Sequence, residues 1–171
     1  MVVDGKCWVP FRYGSEDNVA ETSTGFEKVQ VQYDSLNARQ KEAYLFQKIA
    51  ATLADYGYNC IKLADDWQGA DFLAYHINGT NTLKVQLKSR LTIDRKYCDK
   101  DIWIAFPHEG DWYLIEHDRL IEKVGQHTDW LGSHAWKDGH LYHSRSINAG
   151  LLVSLAEDRL GPVYGSVIVD A

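Results

Sequence analysis

A chain of 171 residues, 45% apolar and 25% charged, is long enough to bury a core and has the balance of a globular domain. No apolar run approaches the roughly 20 residues that span a bilayer, and the opening Met1-Val2-Val3-Asp4-Gly5-Lys6 lacks the basic-then-apolar order of a secretory signal. A formal net charge of −6 argues against a uniformly basic nucleic-acid binder, and three scattered cysteines (Cys7, Cys60, Cys98) read as reduced thiols of a cytoplasmic protein.

In chain order, residues 1–34 read as an acidic, turn-rich N-terminal extension. Within it Val29, Val31 and Tyr33 alternate with Gln30, Gln32 and Asp34 as a strand would. Residues 38–56 carry the clearest helix signal. Asn37 caps the start with Gln40 three residues on, Gly57 stands at the exit, and Phe46, Ile49, Leu53 and Tyr56 form one apolar stripe. Extended back one turn, that stripe reaches Glu42. Its acid either favours the first turn electrostatically or faces a site at the edge of the core.

Residues 59–64 predict a strand and 65–69 a turn. The segment Ala70-Asp71-Phe72-Leu73-Ala74-Tyr75-His76 and the segment Leu83-Lys84-Val85-Gln86-Leu87-Lys88 then flank Asn78-Gly79, a hairpin signal because both residues tolerate positive φ. Period-two alternation puts Leu83, Val85 and Leu87 on one face and Lys84, Gln86 and Lys88 on the other. The hairpin brings Asp71 beside Gln86 and Lys88. An ordinary polar strand face and a turn-capping Asp71 would look the same.

Residues 89–100 read as irregular with one helical turn. The window 84–100 holds Lys84, Lys88, Arg90, Arg95, Lys96 and Lys100 against Asp94 and Asp99. This basic island in an acidic chain is either a solvated face or a phosphate-binding surface. Strands follow at 101–106 and 112–115, around a turn at 107–110, and then a helix at 117–124. Helix, three strands, a connection, two strands and a helix make an α/β or α+β sandwich. Residues 125–146 bring His127, His134, His140 and His143 among aromatic residues, at intervals unlike zinc-ligand pairs. A short helix at 151–160 and a strand at 163–169 complete the expectation. The core is placed at 35–125, with 126–171 a C-terminal aromatic and His-rich extension or small subdomain.

Glu42 on the helix, Asp71 opening the second strand, and Gln86-Leu87-Lys88 on the third together resemble the PD-(D/E)xK nuclease superfamily, over roughly residues 37–124. Gln86 stands where that pattern has an acid, a minority variant, and Ala70 stands where it has proline. Gly-Ala-Asp-Phe-Leu-Ala is similar to the metal-binding segment of archaeal Holliday-junction resolvases. The resemblance implies a restriction-endonuclease-like core, a mixed central sheet flanked by helices. It implies a metal-dependent endonuclease of duplex DNA, homing- or restriction-type, using Mg²⁺ or Mn²⁺. Its catalytic residues would be Glu42, Asp71, Gln86 and Lys88, with Asp71, Gln86 and Glu42 holding the metal.

The chemistry suits those types: carboxylate and amide oxygens hold a hard cation, and an ammonium offsets charge developing on phosphate. Lys84, Arg90, Arg95, Lys96 and Lys100 would hold the DNA backbone. One site per chain implies a homo-oligomer, a dimer or tetramer, for two cuts. The alternatives are a Holliday-junction-resolvase-like nuclease and a non-catalytic nucleic-acid-binding or protein-interaction module.

Overall fold

The computed structural model describes residues 29–161. The chain divides into units Met1–Gln32 and Tyr33–Ala171. Of the first unit, residues 29–32 have no regular structure. The strand expected there is therefore missing, and the second unit opens with a 3-10 turn, Tyr33–Ser35. The expected strand at 163–169 lies outside the described residues.

Helix α1 (Ala38–Ala54) begins as its sequence dictates. Asn37 accepts from the Gln40 N–H at 3.0 Å, while the Gln40 side chain accepts from the Asn37 N–H at 2.9 Å. Two of the orphan donors at the helix start are thereby satisfied. Gly57, at φ +79°, takes the left-handed exit that a side chain would resist. Strands β1 (Tyr58–Trp67), β2 (Ala70–His76), β3 (Thr82–Leu87), β5 (Ile102–His108), β6 (Asp111–Glu116) and β8 (Arg159–Leu160) form one sheet in the order β1-β2-β3-β5-β6-β8. β3 and β5 run parallel and the other neighbours antiparallel, so the sheet is mixed. The chain is α+β, with helices on the sheet's flanks.

The sheet separates two apolar clusters. On one face Phe72, Ala74 and Val85 pack against Ile49 and Leu53 of α1, with Leu83 and Leu87 beside them. The other cluster gathers Ile104, Ile115, Leu91, Ile93 and Tyr97 with Leu120 and Val124 of α2 (His117–His127). Trp136 of α3 (His134–Lys137) and Leu151 of α4 (Ala149–Ser154) belong to that same cluster.

Three further expectations are corrected. The turn at 65–69 is only Gln68-Gly69, because β1 runs to Trp67. The irregular stretch at 89–100 contains β4 (Leu91–Asp94), fully buried and paired with β7 (Leu141–Ser144), then a 3-10 turn at Arg95–Tyr97. Four residues are too short for a period to register, which is why β4 read as loop. The helix expected at 151–160 stops at Ser154 and gives way to a 3-10 turn and β8.

Candidate active site

The β2–β3 register, Phe72 opposite Val85 and Leu73 opposite Lys84, carries Asp71 alongside Gln86. The Asp71 carboxylate accepts from the Leu87 N–H at 2.8 Å and from the Gln86 amide NH₂, both on Oδ2. Gln86 is 6% exposed, and its Oε1 accepts from the Tyr97 hydroxyl at 2.8 Å. That hydroxyl in turn accepts from Lys88 Nζ at 3.1 Å. The donors run one way, Lys88 to Tyr97 to Gln86 to Asp71. A cation heads the chain and an anion closes it, so each bond polarises the next. Backbone bonding fixes the cationic end, since the Lys88 N–H donates to Ala105 O at 2.8 Å across the parallel pair.

Burial is the main force on the charged ends. It pushes the Asp71 carboxyl up, opposed by the Leu87 N–H and by Lys88 and reinforced by Glu42 and Asp66. It pulls the Lys88 ammonium down, with Lys96 adding to the effect. Burial likewise raises the Tyr97 phenol, so its hydroxyl keeps its proton and serves as a donor.

Tyr97 and Asp66 are the residues that sequence reasoning missed. Between the pairs Lys62–Phe72 and Trp67–Ala70, residues 63–66 of β1 stand against the single Asp71 of β2. A bulge of this kind re-aims side chains, and here it brings the segment holding Asp66 opposite Asp71, close enough for its charge to push the Asp71 carboxyl up. The chain pattern gave no signal for it, because 65–69 read as a turn. Tyr97 lies one residue from Lys96 in the basic island, and only the buried β4 brings it back under β3.

Glu42 is carried by α1 on the sheet's other face and pairs with Lys62 at 2.9 Å. It makes no hydrogen bond to the Asp71–Lys88 chain, but it lines a pocket of about 260 Å³ with Leu87 and Ser89. The basic residues separate. Lys84 is tied to Lys100 O at 2.6 Å and to Asp101 at 3.6 Å. Arg95 lies over the Trp136 ring, and Lys96 over the Tyr97 ring with Asp94 at 3.8 Å. Lys100 is exposed beside Gln68 and Asp101, and Arg90 lines a separate groove.

The residues fit a divalent cation at Asp71 only in part, because Asp71, Asp66 and Glu42 do not bring three ligand oxygens within 4.8 Å of one another. Oδ1 receives no hydrogen bond among the described residues, and the nearby carboxylates Asp66 and Glu42 both repel Asp71. Hard oxygen donors under mutual repulsion are what Mg²⁺ or Mn²⁺ relieves. Gln86 fits less directly. Its oxygen faces Tyr97, so the amide must rotate by half a turn to present that oxygen beside Asp71.

A second group, Cys98, His117 and Asp118, offers three ligand atoms within 4.8 Å of one another. His117 Nε2 accepts from the Asp94 N–H at 3.2 Å, so in the neutral ring the proton sits on Nδ1. Nδ1 is buried and has no hydrogen-bond partner, its contact with Asp118 being 3.5 Å. With its proton there, Nδ1 has no lone pair for a cation, and the cluster reads as packing.

Burial pulls the His117 ring below its ordinary 6.5, against the pull of Asp118. The unfolded ring takes a proton first, so this group's contribution to stability is full above about pH 6.5 and is lost as pH falls through the folded value. Urea midpoints compared at about pH 8 and pH 5 should therefore fall more for wild type than for His117→Gln.

Gly69 sets the approach of the β1–β2 turn to this site. Its φ is +95°, and a Cβ there would lie 3.1 Å from the Tyr97 ring. Gly69→Ala is expected to cost more than about 1 kcal/mol in chemical denaturation.

No protein-family model and no curated protein matches the chain. Among solved structures, it is similar to Hjc, a Holliday junction resolvase from the archaeal hyperthermophile Archaeoglobus fulgidus, at 14% identity and a TM-score of 0.37, covering 46% of this chain and 74% of that one. It is also similar to the bacterial homing endonuclease I-Ssp6803I at 15% identity and a TM-score of 0.41, covering 66% and 78%. These are loose likenesses of chain path alone. Among the described residues no helix is long and apolar enough to cross a membrane.

Proposed function

We propose that this chain is a metal-dependent endonuclease that hydrolyses phosphodiester bonds in duplex DNA. The observation that carries the reading is the Lys88–Tyr97–Gln86–Asp71 chain, which holds one ammonium and one carboxylate at the two ends of a fixed, half-buried network. Asp71 Oδ1 and Asp66 would hold Mg²⁺ or Mn²⁺, and Glu42, carried on the sheet's other face, would reach the ion only through water. When bound, the cation supplies Lewis acidity and neutralises charge on the phosphate oxygens. Lys88 orients the attacking water and stabilises the charge that develops in the transition state. Tyr97 positions Lys88. A homodimer supplies two such sites for the two strands of a duplex.

The test is incubation of duplex DNA, chosen by binding selection from random sequence, with Mg²⁺ or Mn²⁺. Cleavage that stops with chelator supports the reading, and intact DNA that is nonetheless bound overturns it. A preference for four-way junctions over linear duplex of the same sequence would instead indicate a resolvase. Asp66→Asn should weaken Mn²⁺ binding at least tenfold by calorimetry, while Asp65→Asn leaves it unchanged. Equal affinities would remove Asp66 from the metal site.

One observation favours the non-catalytic alternative. Gln86 gives its NH₂ to Asp71, so both polar ends of the amide are used within the protein. On that reading the network is a sealed polar knot in a binding module, and DNA is bound and never cut.

A further inference from the structure

A groove of about 620 Å³ lies between the Tyr33–Ser35 turn, the β3–β4 link, the β5–β6 turn and the β7–α4 link, and none of Asp71, Gln86, Lys88 and Tyr97 lines it. Lys41, Arg90 and Arg145 line it, together with Ser89, Ser146 and Tyr33. The groove shares Tyr33, Lys41 and Ser89 with the smaller pocket that reaches Glu42 and Leu87. Leu87 is the residue whose N–H holds Asp71. The concave surface therefore leads from three cations to the peptide that anchors the candidate catalytic carboxylate.

The three cations come from segments far apart in sequence. Among the described residues none of them is in an ion pair with a carboxylate. Lys41 instead lies 5.4 Å from the centre of the Tyr33 ring. By contrast, Lys84 is committed to Lys100 O and Asp101, and Arg95 to Trp136. Asp34 and Glu109 also line the groove and are exposed, so it is not a general anion sink. Two guanidinium forks, an ammonium and three hydroxyls suit a chain of phosphates, which they can hold at several points.

We propose that this groove, and not the Lys84–Lys100 corner, carries the nucleic-acid backbone to Asp71, with Lys41, Arg90 and Arg145 each contacting a phosphate. The inference rests on the nuclease reading, and it names the surface by which that site takes its substrate. Arg90 was legible in the basic island; Lys41 and Arg145 were not, because each stands outside it.

The experiment measures binding of a labelled DNA duplex to the full chain by fluorescence anisotropy, in chelator, across a salt series. Each phosphate contact contributes about −0.9 to the slope of log affinity against log salt. The double variant Lys41→Gln/Arg145→Gln should flatten the slope by about 2 and weaken binding at least tenfold at low salt. Lys41→Arg/Arg145→Lys should restore the slope, which a merely structural role would not require. Lys96→Gln/Lys100→Gln should leave it unchanged. If the groove variant keeps the wild-type slope, whatever the Lys96/Lys100 variant does, the groove assignment is overturned and the nuclease reading stands. If the wild-type chain binds no DNA, both go.

Discussion

Lys88→Ala is expected to lower single-turnover cleavage of duplex DNA by about 10²–10³-fold, the usual loss when one group stabilising developing charge is removed. DNA binding should stay within a few-fold, because Lys88 is half-buried and bonded to Tyr97 rather than open to the groove. Asp71→Ala should abolish Mg²⁺-dependent cleavage altogether, since among the described residues Asp71 is the only carboxylate hydrogen-bonded to the Lys88–Tyr97–Gln86 chain. The two variants fail for different reasons. Calorimetry separates them: Mn²⁺ binding should survive Lys88→Ala and vanish in Asp71→Ala. Full cleavage by either variant would remove that residue from the chemistry.

The second large effect falls on Tyr97, whose ring is 2% exposed and whose hydroxyl joins Lys88 to Gln86. Tyr97→Ala should cost about 3–5 kcal/mol in urea denaturation, as truncation of a buried aromatic does. That loss alone says nothing of the site. Tyr97→Phe keeps the ring against Gly69 and removes only the oxygen, stranding Gln86 Oε1 without its donor and Lys88 without its acceptor. A buried group so stranded costs about 1–3 kcal/mol. The same variant should lower the cleavage rate with little change in DNA affinity, as expected of a residue that positions Lys88. Wild-type stability together with a wild-type rate would dismiss the relay.

The local chemistry of the site was largely written in the chain. Asn37 and Gln40 fix the start of α1, Asn78-Gly79 sets the β2–β3 turn, and period two puts Gln86 and Lys88 on one face. What escaped was non-local. A bulge has no sequence period, so Asp66 read as turn although it belongs to the bulged segment opposite Asp71. β4 shows its role only through its partner β7, some fifty residues later, and without it Tyr97 has no path back under β3. Glu42 was legible as an acid on the apolar stripe, but its pairing with Lys62 across the sheet's other face was not. The amide of Gln86 could be placed beside Asp71 from register alone; which end it presents depends on the single proton of the Tyr97 hydroxyl.

The most direct test is anomalous diffraction from a crystal soaked in Mn²⁺. One ion is expected, with Asp71 Oδ1 within about 2.0–2.6 Å, the Asp66 carboxylate in its ligand shell, and Lys88 still on Tyr97. An ion held instead by Cys98, His117 and Asp118, with nothing at Asp71 in a preparation that cuts DNA, would contradict the Asp71 assignment.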